Sequence, residues 1–425
     1  MMDTIFALSS GAPPAAIAVI RVSGPQAAAA MSALLGRQLD PRSATYAAVH
    51  DAAGAVIDRV LALWLPGPHC ATGEDTLELH CHGGRAVIGA VEAALGAMPG
   101  LRGAAPGEFT RRAFAHGKID LAEAEGLADL LSAETELQRA SAMAMAGGAF
   151  SAQVEAWRGA LLRQSAALEA VLDFGDEDDV ALQSADFAVQ LQALEGELTE
   201  WLARPRAEAL REGFRVVIAG PPNVGKSTLF NVLVEAEAAI ATPIPGTTRD
   251  VLTRPVAYCG VPFLFADTAG LHDHVDDEVE AIGIERALEA LDRADLVLWL
   301  GPEGQGPAGA WEVASQSDRP NAAIKHAARH RISAVSGDGI LALREDLLTA
   351  ARAALPKPGQ AALNERQHIH LRHAQRALSA AHNEHDSLLI AEALRLARLE
   401  FDALLGRTGT EDMLDTLFGR FCIGK

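Results

Sequence analysis

Residues 215 to 228, RVVIAGPPNVGKST, carry the clearest chemistry in the chain: an apolar, strand-like run opens into Gly220-Pro-Pro-Asn-Val-Gly225-Lys226-Ser227 and continues as the helical stretch TLFNVLVEA. The spacing GxxxxGK[ST] predicts a phosphate-binding loop. Its glycines let backbone N–H groups of Asn223, Val224, Gly225 and the residues through Thr228 close round phosphate oxygens, and the following helix turns its positive N-terminus towards them. Lys226 is then placed to reach the β- and γ-phosphates, and Ser227 to offer its hydroxyl to Mg²⁺. A strand before the loop and a helix after it make the signal far more specific than the bare spacing.

What lies downstream narrows the chemistry. The polar stretch ATPIPGTTRDV holds adjacent threonines, Thr247 and Thr248, and PVAYCGVPFLFADTAG then gives two strands joined at Cys259-Gly260, ending in Asp267-Thr268-Ala269-Gly270. An Asp closing a strand before TxAG is where a nucleotide switch holds the second side of Mg²⁺ and senses the γ-phosphate through the glycine N–H. This order separates a regulatory GTPase from a kinase or a general ATPase. Guanine selection rests on an [NT]KxD segment after the next strand, and the nearest match is Ser315-Gln316-Ser317-Asp318. Asp318 is expected to accept two hydrogen bonds from the guanine edge, whereas Gln316 is expected to lack the stem that stacks over the base and braces the loop. Ser333-Ala334, in the strand-like RISAVSG (331 to 337), are expected to cradle the guanine carbonyl. An ATPase is the reading that SQSD permits; the threonines and DTAG weigh against it.

Four segments must position these groups. Residues 1 to 118 read as a small α/β domain, with strands in IAVIRVSG (17 to 24), VIDRVLALWLPG (56 to 67) and DTLELHCHGG (75 to 84), and helices in PQAAAAMSALLGR and RAVIGAVEAALGAM. Arg21, Glu78 and Lys118 stand beside apolar boundaries there, and pattern alone reads them as solvated or paired surface charges. Strand alternation sends His80 and His82 to one face and Cys81 to the other, so no metal site is expected among them. Residues 119 to 211 are helical, interrupted at Gly147-Gly148 and again at DFGDEDDV (173 to 180), an acidic run read as a solvated loop. Residues 212 to 353 form the nucleotide domain, in which GPEGQGPAGAWEVA is short and polar for a buried strand. Helices return over 354 to 425 after LPKPGQ, beginning with the most basic segment, Arg366, His368, His370, Arg372, His373 and Arg376. That segment reads as an exposed face balancing an acidic neighbour, with RNA contact as the other reading. Cys422 near the terminal Lys425 is a nucleophile, a redox group or merely a tail, and the tail is favoured. Helices on both sides imply a nucleotide domain inserted into one helical domain, an α/β plus α fold.

Composition sets the bounds. A chain of 425 residues with 49% hydrophobic residues predicts two or three globular domains. No run approaches membrane-spanning length, the N-terminus MMDTIFALSS lacks a charged leader, and four scattered cysteines suit a reducing compartment, so a cytoplasmic location is expected. Acidic residues outnumber basic ones by 56 to 36, a formal charge of −20, so any RNA contact must use a local basic patch or a partner.

The assembled order resembles the MnmE (TrmE) family of tRNA modification GTPases over essentially the full length. The stretches that carry it are DTIFALSSGAPPAAIAVIRVSGP, TGEDTLELHCHGG, FTRRAFAHGKIDLAEAEGLADL, GPPNVGKSTLFN, PGTTRD, DTAGL, DDEVEAIGIERA and the terminal TEDMLDTLFGRFCIGK. The resemblance implies a cytoplasmic homodimer joined through an N-terminal folate-binding domain. It implies a helical domain interrupted by a Ras-like P-loop GTPase domain, and an FAD-dependent partner, MnmG (GidA), in a heterotetramer or larger complex. Together these would add an aminomethyl or carboxymethylaminomethyl group to C5 of wobble uridine 34 in tRNA, with 5-formyl- or methylene-tetrahydrofolate as the one-carbon carrier. The folate residues it implies are Arg21, Glu78, Lys118 and Lys425, with the tail near Cys422 in the pocket region. It further implies K⁺ ligands at Asn223, Thr242, Ile244 and Thr247, Mg²⁺ between Ser227 and Thr248, and Glu280 as the carboxylate that orients water. A nucleotide switch that assembles with RNA or ribosomes, without one-carbon chemistry, is the alternative; failure to bind folate would favour it.

Overall fold

The computed structural model describes residues 3–174, 185–235, 253–267, 289–320, 324–408, 411–419 and 421–424. It divides into two compact units, residues 1–128 with 401–425, and residues 129–400. Among the described residues no helix is long and apolar enough to cross a membrane.

The first unit is built on a six-stranded sheet of order β3-β4-β5-β2-β1-β6. Its strands are β1 (Thr4–Leu8), β2 (Ala15–Ser23), β3 (Thr45–His50), β4 (Val56–Leu65), β5 (Thr76–Gly83) and β6 (Leu101–Gly103), with α1 (Ala27–Leu35) and α2 (Arg85–Gly96) between them. Alternation along β5 explains its two faces: Leu77, Leu79 and Cys81 are buried, while Glu78, His80 and His82 face outwards. Burial among Ile20, Val22, Val91 and Leu95 pushes the Cys81 thiol up to about 12. His82 bonds Asp58 at 2.8 Å, and His80 lies 3.6 Å from Glu78. The strands and helices expected over 17 to 98 are present, and β1, β3 and β6 are added. The chain continues through α3 (Glu108–Ala115) and into α4 (Leu121–Ser132). The last helix, α13 (Glu411–Phe418), ends at Phe418, which packs with Phe421, three residues further on, against Ala124, Phe114 and Leu127.

In the second unit, α5 (Glu136–Ala146) starts with a Thr135–Gln138 capping box and stops at Gly147, followed by α6 (Ala149–Phe174), α7 (Ala185–Leu202) and α8 (Ala207–Glu212). Phe150, Trp157 and Trp201 cluster with ring centroids 5.2 to 6.4 Å apart, and Trp157 donates to Glu197 at 2.8 Å. The inserted sheet follows: β7 (Phe214–Ala219), α9 (Lys226–Glu235), β8 (Thr253–Tyr258), β9 (Val261–Asp267), β10 (Leu296–Trp299), β11 (Trp311–Ala314), β12 (His330–Arg331) and α10 (Ile340–Ala354). Its order is β12-β11-β10-β7-β9-β8, parallel except for β8. Beyond it come α11 (Glu365–Asn383) and α12 (Ser387–Leu404). Gln375 of α11 bonds Thr199 of α7 at 2.7 Å, and the Ala207 N–H bonds the Leu363 carbonyl at 2.9 Å, so helices on both sides of the sheet pack as one body. In the basic segment on α11, His370 bonds Glu400 at 2.7 Å, His373 lies 3.6 Å from the same carboxylate, and His368 is buried.

Two strands depart from expectation. β11 forms despite its polar approach, and β12 holds only His330–Arg331, leaving the sheet before the SAVSG that was read as strand. Both follow from the crossovers. Parallel neighbours are usually joined through a helix, yet residues 300–310 hold none, nor do the described residues of 315–329. Side chains bonded to the crossover backbone take that place. Glu312 accepts from the Gly304 N–H at 2.9 Å and from Lys325 Nζ at 2.7 Å, Lys325 also donates to the Trp299 carbonyl at 2.9 Å, and Glu303 accepts from the N–H groups of His326 and Ala327. Lys325 is only 4% exposed.

Removing one partner of a buried pair leaves the other charge uncompensated, so Lys325→Ala should lower stability by about 3–5 kcal/mol; urea unfolding followed by tryptophan fluorescence measures it. Burial also lowers the pKa of His368, aided by Arg206 and Arg372, and burial lowers that of His330 against the pull of Asp346. The unfolded chain therefore binds more protons, and stability falls as pH drops below their ordinary value of 6.5. Urea midpoints at pH 7.5 and 5.5 should differ in that direction, and His368→Gln should reduce the difference.

Candidate functional site

β7 delivers Gly220 and α9 begins at Lys226, so the expected loop is a tight strand-to-helix turn. Gly225 has φ +94°, a backbone region open to glycine, and Asn223 is held at φ +66°. The first turn of α9 carries no acidic side chain, which leaves the helix N-terminus suited to an anion. Lys226 is 5% exposed and donates from Nζ to the Pro221 carbonyl at 2.9 Å. Burial pulls its ammonium below the ordinary lysine value, and the Asp267 carboxylate opposes that shift. Asp267 ends β9 fully buried, directly across from Ile218 of β7. Ser227 and Thr228 are exposed at the start of α9. Thr242, Ile244, Thr247, Thr248, Thr268, Ala269, Gly270, Glu280 and Lys425, and the acidic run within 173 to 180, lie outside the described residues or their described side chains.

The SQSD segment corrects one expectation. Gln316 does brace the phosphate loop: its Nε2 donates to the Asn223 carbonyl at 3.0 Å, beside Ser315 Oγ donating to the Val224 carbonyl at 2.6 Å. A lysine stem is not required for that tie, because a glutamine amide ends in a donor of similar reach. Gln316 is itself at φ +55°, a conformation that costs a long side chain about 1–3 kcal/mol and persists where its surroundings fix it. Asp318 is exposed and accepts from Ser333 Oγ at 2.7 Å. That bond, ahead of a backbone N–H, holds its carboxyl below the usual carboxylate range. Ala334 follows Ser333, half-buried. The brace itself lines a cavity of about 780 Å³: Asn223, Val224, Ser315 and Gln316 border it together with Leu300, Val313, Ile324 and Lys325 among others.

The second group of charges sits in the first unit. Strand register places Arg21 of β2 opposite Glu78 of β5, and they join through Nε at 2.9 Å and a second guanidinium nitrogen at 2.8 Å. Phe109 lies 5.6 Å beneath the Arg21 guanidinium. Lys118 is exposed and its stem packs over Gly73, in the loop that leads into β5. Arg21 also pairs with Ala7 of β1, and the next residue, Leu8, meets the C-terminal tail. A Cβ on Gly424 would stand 2.0 Å from the Leu8 carbonyl, so only glycine lets the tail lie there. Cys422 is exposed. Sequence reading missed Phe109 and the linked set Ser23, Thr72, Glu74 and Arg112, in which Glu74 accepts from Ser23 at 2.8 Å and from Arg112 at 3.2 Å. The TGED motif that contains Thr72 and Glu74 was the available signal.

A mainly parallel sheet whose central strand opens into a phosphate loop, beside a strand ending in a buried Asp, defines the inserted domain as a P-loop nucleotide-binding domain. Two family profiles match the chain: "GTP-binding protein TrmE N-terminus" over residues 4–118 and "MnmE helical domain" over residues 121–422. Proteins named tRNA modification GTPase MnmE are similar throughout. The one from Novosphingobium aromaticivorans is 62% identical over 437 residues and that from Erythrobacter litoralis 60% over 424, each covering 100% of both chains. The Zymomonas mobilis protein is 48% identical over 436 residues, again covering 100% of both. A solved structure of Era in complex with MgGDPNP and 16S ribosomal RNA nucleotides is 19% identical, covering 49% of this chain and 98% of that one, at a TM-score of 0.25 that is too low to speak for the fold. The chain belongs to the MnmE (TrmE) family of tRNA modification GTPases.

Because the tail fits against β1 only through Gly424, Gly424→Ala should lift it. Carboxypeptidase should then trim the variant several-fold faster than the wild-type chain, read by intact mass; equal trimming would mean that the tail is held elsewhere.

Proposed function

We propose that the chain binds and hydrolyses GTP and couples this to modification of C5 of wobble uridine 34 in tRNA. With the FAD-dependent MnmG, the group added is carboxymethylaminomethyl or aminomethyl, and a tetrahydrofolate supplies the carbon. The observation that carries the reading is the pair of built sites, Lys226 with Asp267 in one unit and Arg21 with Glu78 in the other.

The residues present suit the groups they would hold. Gly225, Lys226, Ser227 and Thr228 would hold the phosphates through the loop and helix N-terminus, with the Lys226 ammonium reaching the terminal phosphates when it leaves Pro221. Ser227, Thr248 and Asp267 offer the hard oxygen donors that Mg²⁺ takes. Asn223, Thr242, Ile244 and Thr247 would hold K⁺, which offsets charge developing beside the γ-phosphate where other GTPases use an arginine. Thr268, Ala269 and Gly270 would follow the γ-phosphate, and Glu280 would orient water. Asp318, ionised at neutral pH, would accept from the guanine edge, with Ser333 and Ala334 at its carbonyl. Arg21, Glu78, Lys118 and Lys425 would bind folate, and the tail with Cys422 would form part of that pocket region. Boundaries near residues 118, 211 and 353 would divide the chain into its N-terminal, helical and GTPase parts, the protein acting as a cytoplasmic homodimer.

The testing experiment is hydrolysis of GTP and ATP in KCl and in NaCl at equal ionic strength. GTP turnover confined to KCl is expected; equal rates in both salts would count against the potassium site, and equal use of ATP against guanine selection. Lys226→Ala should abolish hydrolysis, and Glu280→Ala should keep GTP binding but slow turnover. Arg21→Ala should weaken tetrahydrofolate binding in calorimetry, and unchanged affinity would remove the folate assignment.

A further inference from the structure

Of the two imidazoles that β5 turns outwards beside Glu78, one is satisfied and the other is not. His82 donates from Nδ1 to Asp58 at 2.8 Å and is otherwise exposed. His80 stands between His82 and Glu78 along the strand, opposite Val19 of β2 and Leu61 of β4. Its Nε2 is shielded from solvent and has no hydrogen-bond partner, and it lies 3.6 Å from Glu78 Oε2, beyond hydrogen-bond reach. A proton on that nitrogen would be drawn to the carboxylate. The distance kept between them is that of two acceptors, so Nε2 carries a lone pair and the ring proton sits on Nδ1. A polar atom closed off from water without a partner costs stability, and an unfilled acceptor beside the Arg21–Glu78 pair points to a donor that arrives with a ligand.

We propose that His80 is a further ligand-binding residue of the folate site: its Nε2 accepts from the 2-amino group of the pterin, while the neighbouring N3–H of the same ring goes to Glu78. The inference rests on the folate reading above and deepens it, because it names the edge of the ligand that the sheet reads. An aminopyrimidinone edge carries two N–H donors on neighbouring atoms, and two acceptors 3.6 Å apart suit such a pair. Contacts made to Arg21 or Glu78 exchange one satisfied bond for another. A bond to His80 has nothing to displace, so its whole effect appears as affinity. A folate without the amino group forfeits that gain.

The test is calorimetry on the full-length chain with 5-formyltetrahydrofolate and with its 2-deamino analogue, in which hydrogen replaces the amino group. His80→Phe keeps a ring and removes the acceptor. It should weaken the parent compound by up to about tenfold, the effect of one hydrogen bond, and leave the affinity for the analogue unchanged. His80→Gln restores an acceptor and should recover most of the loss for the parent compound. Such coupling between a side chain and one group of the ligand arises from contact; a residue that only holds the strands would weaken both compounds alike. Equal weakening of both by His80→Phe would therefore overturn the proposal, as would wild-type affinity for the parent compound in that variant. An analogue that binds the wild-type chain as tightly as the parent compound would overturn it too. A wild-type chain that binds neither removes the folate reading itself, and this inference with it.

Discussion

The nucleotide domain depends on the pairing of β7 with β9. Parallel register sets Ile218 opposite Asp267, so two strands from distant parts of the chain end side by side. One continues into the phosphate loop and the other stops on a buried carboxylate. The Lys226 ammonium lies close enough to feel that carboxylate, and the two opposite charges share a site with little water. Backbone hydrogen bonds of a sheet hold such an arrangement more tightly than loops do, so the loop can spend its glycines on shape. Phe263 and Phe265, stacked at 5.7 Å on β9, and Leu229 and Leu233 of α9 close the face beneath.

The opposite edge of the same sheet is held by other means. With no helix among the described residues of the crossovers around β11, the polar set Glu303, Glu312 and Lys325 ties the turns to one another. Cation–π contact adds to this, with Arg329 3.9 Å over the Trp311 ring. Such ties are directional. They fix the end of β11 in one position, and Ser315 and Gln316 leave from that end to meet the phosphate loop. Rigidity at a helix-poor edge is thereby carried into the binding loop.

The phosphate loop, the Asp267 strand and the inserted topology were legible because each is a local pattern: spacing, alternation, and helices before and after. β1 and β3 were not, since TIFAL is a short apolar run and TYAAVH is diluted by alanine. Arg21 and Glu78 are 57 residues apart, and only strand register brings them together. Pattern alone left them as solvated or paired charges, and the register of β2 and β5 decides for the pair. Gln316 was expected to leave the loop unbraced because it lacks the lysine stem, yet it bonds the Asn223 carbonyl. What the brace needs is a hydrogen-bond donor at a given distance, and an amide supplies one.

The Arg21–Glu78 pair also shows what a ligand at that sheet would have to overcome. Both side chains are less than a quarter exposed, the guanidinium makes two short contacts with the carboxylate, and Phe109 covers its face. Each charge is already paired within the sheet. A ligand that bonds to either must replace those contacts with its own, because a half-buried charge left without a partner costs more than a typical hydrogen bond returns. The same pair ties β2 to β5 at one register position, where Arg21 stands opposite Glu78.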